Sequence, residues 1–175
     1  MDEMRYGLMS NIRRSWSKKG ERTVVLQQQE FVNRYLYSAI DPINGDSFHL
    51  MNMNDVNAKN IDIFLNELQK EFPNNHLLII WDNAPFHKSS YLKRKNMTLA
   101  FLPSYSPQLN PTERFFEEIR KITANRIFKD GIDELSKILE EGTVKLKEDK
   151  SAIKSLTAYD WIIEQWEWIF GKVQN

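Results

Sequence analysis

Two carboxylates in the middle of the chain stand where chemistry is usually placed. Asp82 closes the apolar run Leu77-Leu78-Ile79-Ile80-Trp81. A short apolar run without alternation suits a strand buried on both faces, and the C-terminal end of such a strand is where open α/β sheets carry their reactive groups. Glu113 follows Asn110-Pro111-Thr112, which reads as a helix start with Asn110 as N-cap, Pro111 at the first helical position and Glu113 at the third. The helix dipole favours the ionised form of a carboxylate there. Glu113 meeting Asp82 would supply a second hard oxygen donor of the kind that binds divalent cations.

The elements that must position these groups follow from the pattern around them. Met4 to Met9 reads as a half-length first strand. Thr23 to Val32 and Tyr35 to Ile40, rich in β-branched and aromatic residues, read as strand. The turn Asp41-Pro42-Ile43-Asn44-Gly45-Asp46 leads to a strand over Ser47 to Met51. Asp41 and Asp46 read there as partners of backbone N–H groups in preference to metal. Asn57 to Phe72 is the clearest helix, with Ile61, Phe64, Leu65, Leu68 and Phe72 on one face and Pro73 as its stop. Met97 to Leu102 is another strand; after the stiff loop Pro103 to Pro107 comes a helix presenting Phe115, Phe116, Ile119, Ile122 and Ile127. Ile132, Leu135, Ile138 and Leu139 outline a further helix whose continuation Gly142 weakens. The stretch Tyr159 to Phe170 carries Trp161, Trp166 and Trp168 with Ile162, Ile163 and Ile169. Packing back on the sheet is the expected role of that stripe, with a dimer contact as the alternative.

The strings WDNAPFH (Trp81 to His87) and LPSYSPQLNPTERFFEEIRK (Leu102 to Lys121) resemble the core signature of insertion-sequence transposases of the mariner-like DDE superfamily. The opening MDEMRYGL (Met1 to Leu8) resembles that family's first catalytic segment, and the likeness extends to about Phe128. It implies an α/β, RNase H-like fold: a mixed five-stranded sheet, three antiparallel strands then two parallel, flanked by helices, with extra C-terminal helices. The element order read above agrees with this independently. The likeness further implies that Asp2, Asp82 and Glu113 are the catalytic residues and hold Mg²⁺ or Mn²⁺. Glu3 would point to the opposite face of a strand from Asp2, and only the resemblance chooses between the two. The implied reaction is hydrolysis of DNA at transposon ends, followed by strand transfer into target DNA. Two metal ions roughly 3.5–4 Å apart can activate the attacking oxygen, stabilise the leaving one and neutralise the phosphate, so no side-chain nucleophile is required. The implied partners are double-stranded DNA (transposon ends and target), a second copy in a synaptic complex, and an upstream DNA-binding segment or protein. The family's helix-turn-helix region has no counterpart here, and the apolar residues expected ahead of Asp2 are missing. A fragment, a frameshifted reading frame and a tightly cut catalytic domain all fit.

Composition sets the outer bounds. A length of 175 residues without low-complexity stretches suggests one domain over the whole chain. There is no cysteine, which excludes disulfides and thiolate zinc sites. No apolar run approaches the roughly 20 residues that span a bilayer, so a soluble, cytoplasmic, nucleoid-associated protein is expected. Lys plus Arg equals Asp plus Glu at 24 each, and only local clusters can attract DNA. Arg13, Arg14, Lys18 and Lys19, with Arg22, form one cluster, and Lys88 with Lys93, Arg94 and Lys95 another. Each follows a segment bearing a candidate Asp, which favours phosphate contact over plain solvated charge. His87 reads either as a phosphate or metal-water contact, grouped with the DNA-binding candidates, or as a structural hydrogen-bond partner. Trp16 reads as a cover for the sheet edge or a platform for a base, and Glu117 as an exposed intrahelical charge or an accessory ligand. His49 and His76 read as incidental. A catalytically inactive fragment that binds DNA or a transposase is the alternative function. A nuclease for RNA–DNA hybrids, distinguished by 2′-hydroxyl recognition, is a third.

Overall fold

The structure, a computed structural model, describes residues 1–89 and 92–171. Strand β1 (Asp2–Met9) alternates as a half-buried strand should, with Met4, Tyr6 and Leu8 buried on one face. It pairs antiparallel with β2 (Gln29–Ile40), and β2 pairs antiparallel with β3 (Ser47–Met53). Between β2 and β3, the Asp41 carboxylate accepts from the N–H groups of Ile43 (2.8 Å) and Asn44 (3.2 Å), the backbone role expected of it. Helix α1 (Ala58–Glu71) buries Ile61, Phe64, Leu65 and Leu68, and Asn57 caps it by accepting from Asn60 N–H. Strands β4 (Leu77–Trp81) and β5 (Met97–Phe101) run parallel. Helices α2 (Thr112–Ile122), α3 (Ile132–Glu148), α4 (Lys150–Thr157) and α5 (Asp160–Phe170) complete the order.

The sheet has apolar side chains on both faces, and each face has its own core. On one side Tyr37, Ile79, Trp81 and Met97 pack with the buried face of α1. On the other, Met4, Tyr6, Leu8 and Leu36 pack with Phe115, Phe116 and Ile119 of α2 and Leu135 and Leu139 of α3. This is the RNase H-like layering of helices on a mixed sheet. The strands form two hydrogen-bonded ladders, β1-β2-β3 and β4-β5, in place of one continuous ladder of five. They meet where the Met1 ammonium donates to Ile80 O at 2.8 Å. Among the described residues, no helix is long and apolar enough to cross a membrane.

Several sequence expectations are corrected. Residues 23–28 are not strand; Val24 and Leu26 are exposed, and β2 begins at Gln29 and runs unbroken through Asn33 and Arg34. Strand β1 starts at Asp2, before the Met4 that apolar content suggests. Ile127 lies beyond α2 and is exposed. Gly142 does not weaken α3, which continues to Glu148. A Cβ at Gly142 would sit 2.3 Å from Ile122 Cδ1, so the missing side chain lets α3 approach α2. Trp16 covers nothing: it is fully exposed. The α5 stripe does not reach the sheet either, since α2 and α3 already cover that face, and Trp161, Ile163, Trp166, Trp168 and Ile169 remain exposed.

His49 is not incidental. Its ring lies in β3 beneath α2, stacked on Phe115 with centroids 4.6 Å apart, and both nitrogens meet hydroxyls, Ser38 Oγ and Ser47 Oγ, at 2.9 Å. Burial, assisted by the Lys147 charge, pushes its pKa down to about 3. The unfolded chain therefore takes up this proton first as pH falls. The contribution is intact above the ordinary histidine value near 6.5 and is lost progressively from there toward pH 3. Denaturant titrations should show the wild-type chain losing about 1–2 kcal/mol more between pH 7 and pH 5 than His49→Gln. Equal losses would remove His49 from the acid response.

Candidate active site

The Asp2 carboxylate is placed by both ends of its surroundings. Its Oδ1 accepts from Glu3 N–H at 2.8 Å, and its Oδ2 accepts from Asn110 Nδ2 at 2.9 Å. Asn110 is extended (φ −96°, ψ 104°), and its Oδ1 accepts from Thr112 N–H at 3.1 Å while its carbonyl accepts from Glu113 N–H. That is the N-cap role read from the sequence, with the helix boundary drawn one residue later. The amide nitrogen left over from capping is what reaches Asp2. One buried side chain thus ties the first strand to the helix that carries Glu113. Burial raises the Asp2 pKa to about 7, reinforced by the negative charges of Glu3 and then Glu113 and opposed by the Glu3 N–H and the chain's ammonium.

Glu3 takes the other face, as strand alternation requires. There it meets His87, whose Nε2 lies 3.3 Å from Glu3 Oε1 and whose Nδ1 lies 2.6 Å from Asp82 Oδ1. Carboxylates at both ring nitrogens call for both to carry hydrogen, which is the imidazolium form. Burial acts to lower the His87 pKa, but the Glu3 hydrogen bond and the charges of Glu3 and Asp82 outweigh it and raise the value. The ring is 1% exposed and lies flat on Trp81, centroids 4.1 Å apart. His87 is therefore a buried structural partner of two carboxylates. Asp82 follows β4 directly, and its side chain is 58% exposed. Its Oδ1 also accepts from Ala84 N–H at 3.2 Å.

Glu113 stands in the first turn of α2, half-exposed, with Arg120 Nη1 3.8 Å from its Oε2. Asp2, Asp82 and Glu113 come to one edge: Asp2 feels the Glu113 charge, and the adjoining ammonium, bonded to Ile80 O, feels that of Asp82. The three are not drawn around one point; among the described residues no three His, Asp or Glu side chains form a ready-made metal cluster. Asp82 is engaged by His87, and Glu113 leans along its helix toward Arg120. Glu117 pairs with Arg114 at 3.1 Å, the intrahelical reading. The donors themselves are carboxylate oxygens, the ligand type that suits a hard divalent cation.

The basic candidates divide by location. Arg14, Lys18 and Lys19 are exposed on the loop after β1, and Arg13 is half-buried. This loop is anchored by Asn11 Nδ2 donating to Arg120 O and by Arg13 N–H donating to Asn125 Oδ1, at the far end of α2 from Glu113. Lys88 is exposed near the carboxylates, with its Nζ 6.0 Å from the Phe101 ring centre. Arg94 instead pairs with Asp62 of α1 at 2.7 Å, and with Lys95 it sits by the start of β5, away from the Asp82 end. Sequence reasoning did not find Glu3 as the His87 partner or Asn110 as the Asp2 tether. Alternation did signal that Glu3 faces away from Asp2, but no spacing links it to position 87.

A family model described as DDE superfamily endonuclease matches residues 1–135. Uncharacterized protein y4pE/y4sA of Sinorhizobium fredii (strain NBRC 101917 / NGR234) is 46% identical over 57 residues, which are 31% of this chain and 42% of that protein. Among solved structures, the Mos1 strand transfer complex superposes with a TM-score of 0.61 at 18% identity, over 87% of this chain and 52% of that one. The Mos1 mariner paired end complex with Mn gives 0.58 at 18% identity, over 90% and 55%. At such identity the likeness is one of fold. The chain spans about half the length of those solved chains.

Asn110 has two separable duties, and substitution can part them. Asn110→Ala should lower stability by about 1–2 kcal/mol through the lost cap. Asn110→Ser keeps a capping oxygen but not the donor to Asp2 and should recover most of that loss. Its affinity for Mn²⁺, read by isothermal titration, should still fall roughly 10-fold or more, as for lost outer partners of metal ligands. Unchanged Mn²⁺ affinity in Asn110→Ser would show that the Asp2 contact is only architectural.

Proposed function

This chain belongs to the DDE superfamily endonuclease family, and on that footing we propose that it is a transposase catalytic domain spanning residues 1–175. Its reaction is hydrolysis of the DNA backbone at transposon ends and joining of the freed end to target DNA. The observation that carries this reading is the tether from Asn110 to Asp2, which brings the segments bearing Asp2 and Glu113 to the edge where β4 delivers Asp82. Asp2, Asp82 and Glu113 would hold Mg²⁺ or Mn²⁺. When bound, the ions supply charge neutralisation at the scissile phosphate and activation of the attacking oxygen.

The chain's own residues prepare that site. Asn110 and Glu3 N–H fix the Asp2 oxygens, and His87 holds Asp82 with Glu3 behind it. The flat stack on Trp81 keeps the imidazole from turning, so the Asp82 carboxylate is presented outward from a rigid base. Exposed Asp82 and half-exposed Glu113 leave the edge open to a phosphate group. Lys88 and the Arg13, Arg14, Lys18 and Lys19 loop would contact the DNA backbone on either side. Two copies would act together on paired ends.

The test is nicking and joining of labelled transposon-end duplexes with Mg²⁺ or Mn²⁺. Asp82→Asn should lower the rate by more than the roughly 10–100-fold expected for an outer partner, in a variant that stays folded by circular dichroism because the amide oxygen still accepts from His87 and from Ala84 N–H. Wild-type rates in Asp82→Asn would take Asp82 out of the mechanism. Duplex binding without any cation-dependent nicking would assign the chain instead to a catalytically silent binding module.

A further inference from the structure

One large side chain beside the carboxylate edge contributes nothing to the core. Tyr105 is fully exposed, and its backbone has φ +59°. A bulky residue in the left-handed region is a true outlier, and such strain persists only where the surroundings impose it. Here they do. The loop is bracketed by Pro103 and Pro107, Asn83 Nδ2 donates to Ser104 Oγ at 3.2 Å, and Ser106 Oγ donates to Ser104 O at 3.3 Å. A glycine would satisfy the same backbone without strain, so the fold itself has no use for the ring.

Its position supplies the use. Asn83, which holds the loop, directly follows Asp82; Asn110, where the loop gives way to α2, holds Asp2. Tyr105 thus stands between the segments that carry the candidate catalytic groups. Phe101, at the end of β5, is partly exposed, and Lys88 lies over its ring, so a cation shares the rim. An aromatic face held out on a stiff loop, with a cation on one side and carboxylates on the other, suits a nucleotide at the reacting phosphate.

We propose that Tyr105 is a stacking platform for a nucleobase unpaired next to the scissile phosphate. The inference rests on the DNA-processing reading given above. Stacking of a base on an aromatic ring tolerates any sequence, since every base has a flat face. It would hold the strand at the carboxylate edge while the exposed basic side chains hold the duplex.

The probe is a forked duplex with a short unpaired 3′ arm carrying 2-aminopurine at its first nucleotide, compared with the fully paired duplex in binding titrations. The wild-type chain should bind the fork roughly 5- to 100-fold tighter than the paired duplex and quench 2-aminopurine fluorescence. Tyr105→Phe and Tyr105→Trp should keep the preference and the quenching. Tyr105→Ala and Tyr105→Gly should lose both, while Tyr105→Gly melts at or above the wild-type temperature because strain is relieved. A fork preference that survives in Tyr105→Gly, or none in the wild type despite paired-duplex binding, would overturn the stacking role alone. Failure of the wild type to bind either DNA would overturn the DNA reading and this proposal with it.

Discussion

Negative charge gathered at one edge is the constraint on which the rest of this structure depends. Asp2, Glu3, Asp82 and Glu113 come from three distant parts of the chain, and the Asp2 pKa is pushed up to about 7, first by burial and then by the charges of Glu3 and Glu113. Left alone, such groups would spread apart or take up protons. The fold opposes each with a dedicated partner: Asn110 for Asp2, His87 for Glu3 and Asp82, Arg120 for Glu113. Only one of these partners, Arg120, is a permanent cation. The Asn110 amide orients Asp2 without cancelling its charge, whereas the His87 imidazolium sets one positive charge against the two carboxylates of Glu3 and Asp82.

Alternation in β1 divides this task between the two faces of the sheet. Asp2 turns with Met4, Tyr6 and Leu8 toward α2, and Glu3 turns the opposite way toward His87. Neighbouring residues of one strand thereby hold two of the segments the site needs: Asp2 the start of α2, Glu3 the loop after β4. A one-residue slip of β1 against β2 would exchange their faces and put apolar Met4 toward the wrong core. The pairing of Asp2 with Ser38 and of Ser38 with His49 therefore sets site geometry as much as sheet geometry.

What the sequence revealed was local and periodic. The α1 face, the apolar β4 run ending at Asp82, the Asp41 turn and the Asn110 cap each depend on residues a few positions apart. The layered fold and the elements bearing Asp82 and Glu113 follow from them, and resemblance supplied Asp2. What it hid was the long-range pairing. Glu3 with His87, Asn110 with Asp2 and His49 under Phe115 join residues that no spacing rule connects. Gly142 misled because helix propensity ignores the neighbour whose approach the glycine permits. The α5 stripe misled because an apolar pattern does not say whether the matching surface is already taken. Residues 23–28 misled because β-branched content alone, with no partner strand and no burial, does not make a strand.

The cations divide between those paired within the fold and those left exposed, which a net charge of zero conceals. Arg94 is spent on Asp62, and Arg34 reaches Asp133. Lys88 remains by the carboxylates, and the exposed residues of the 13–22 loop lie past the other end of α2. Helix α2 has 11 residues, which at 1.5 Å each is about 16 Å of length. A B-form duplex rises 3.4 Å per base pair, so α2 corresponds to roughly 5 base pairs. A duplex laid along that helix would meet the loop's positive charge while its end reached the carboxylates. On the DNA-processing reading proposed above, that spacing lies beyond about one Debye length at physiological salt, so the loop would attract phosphate without adding to the Arg120 charge that already faces Glu113.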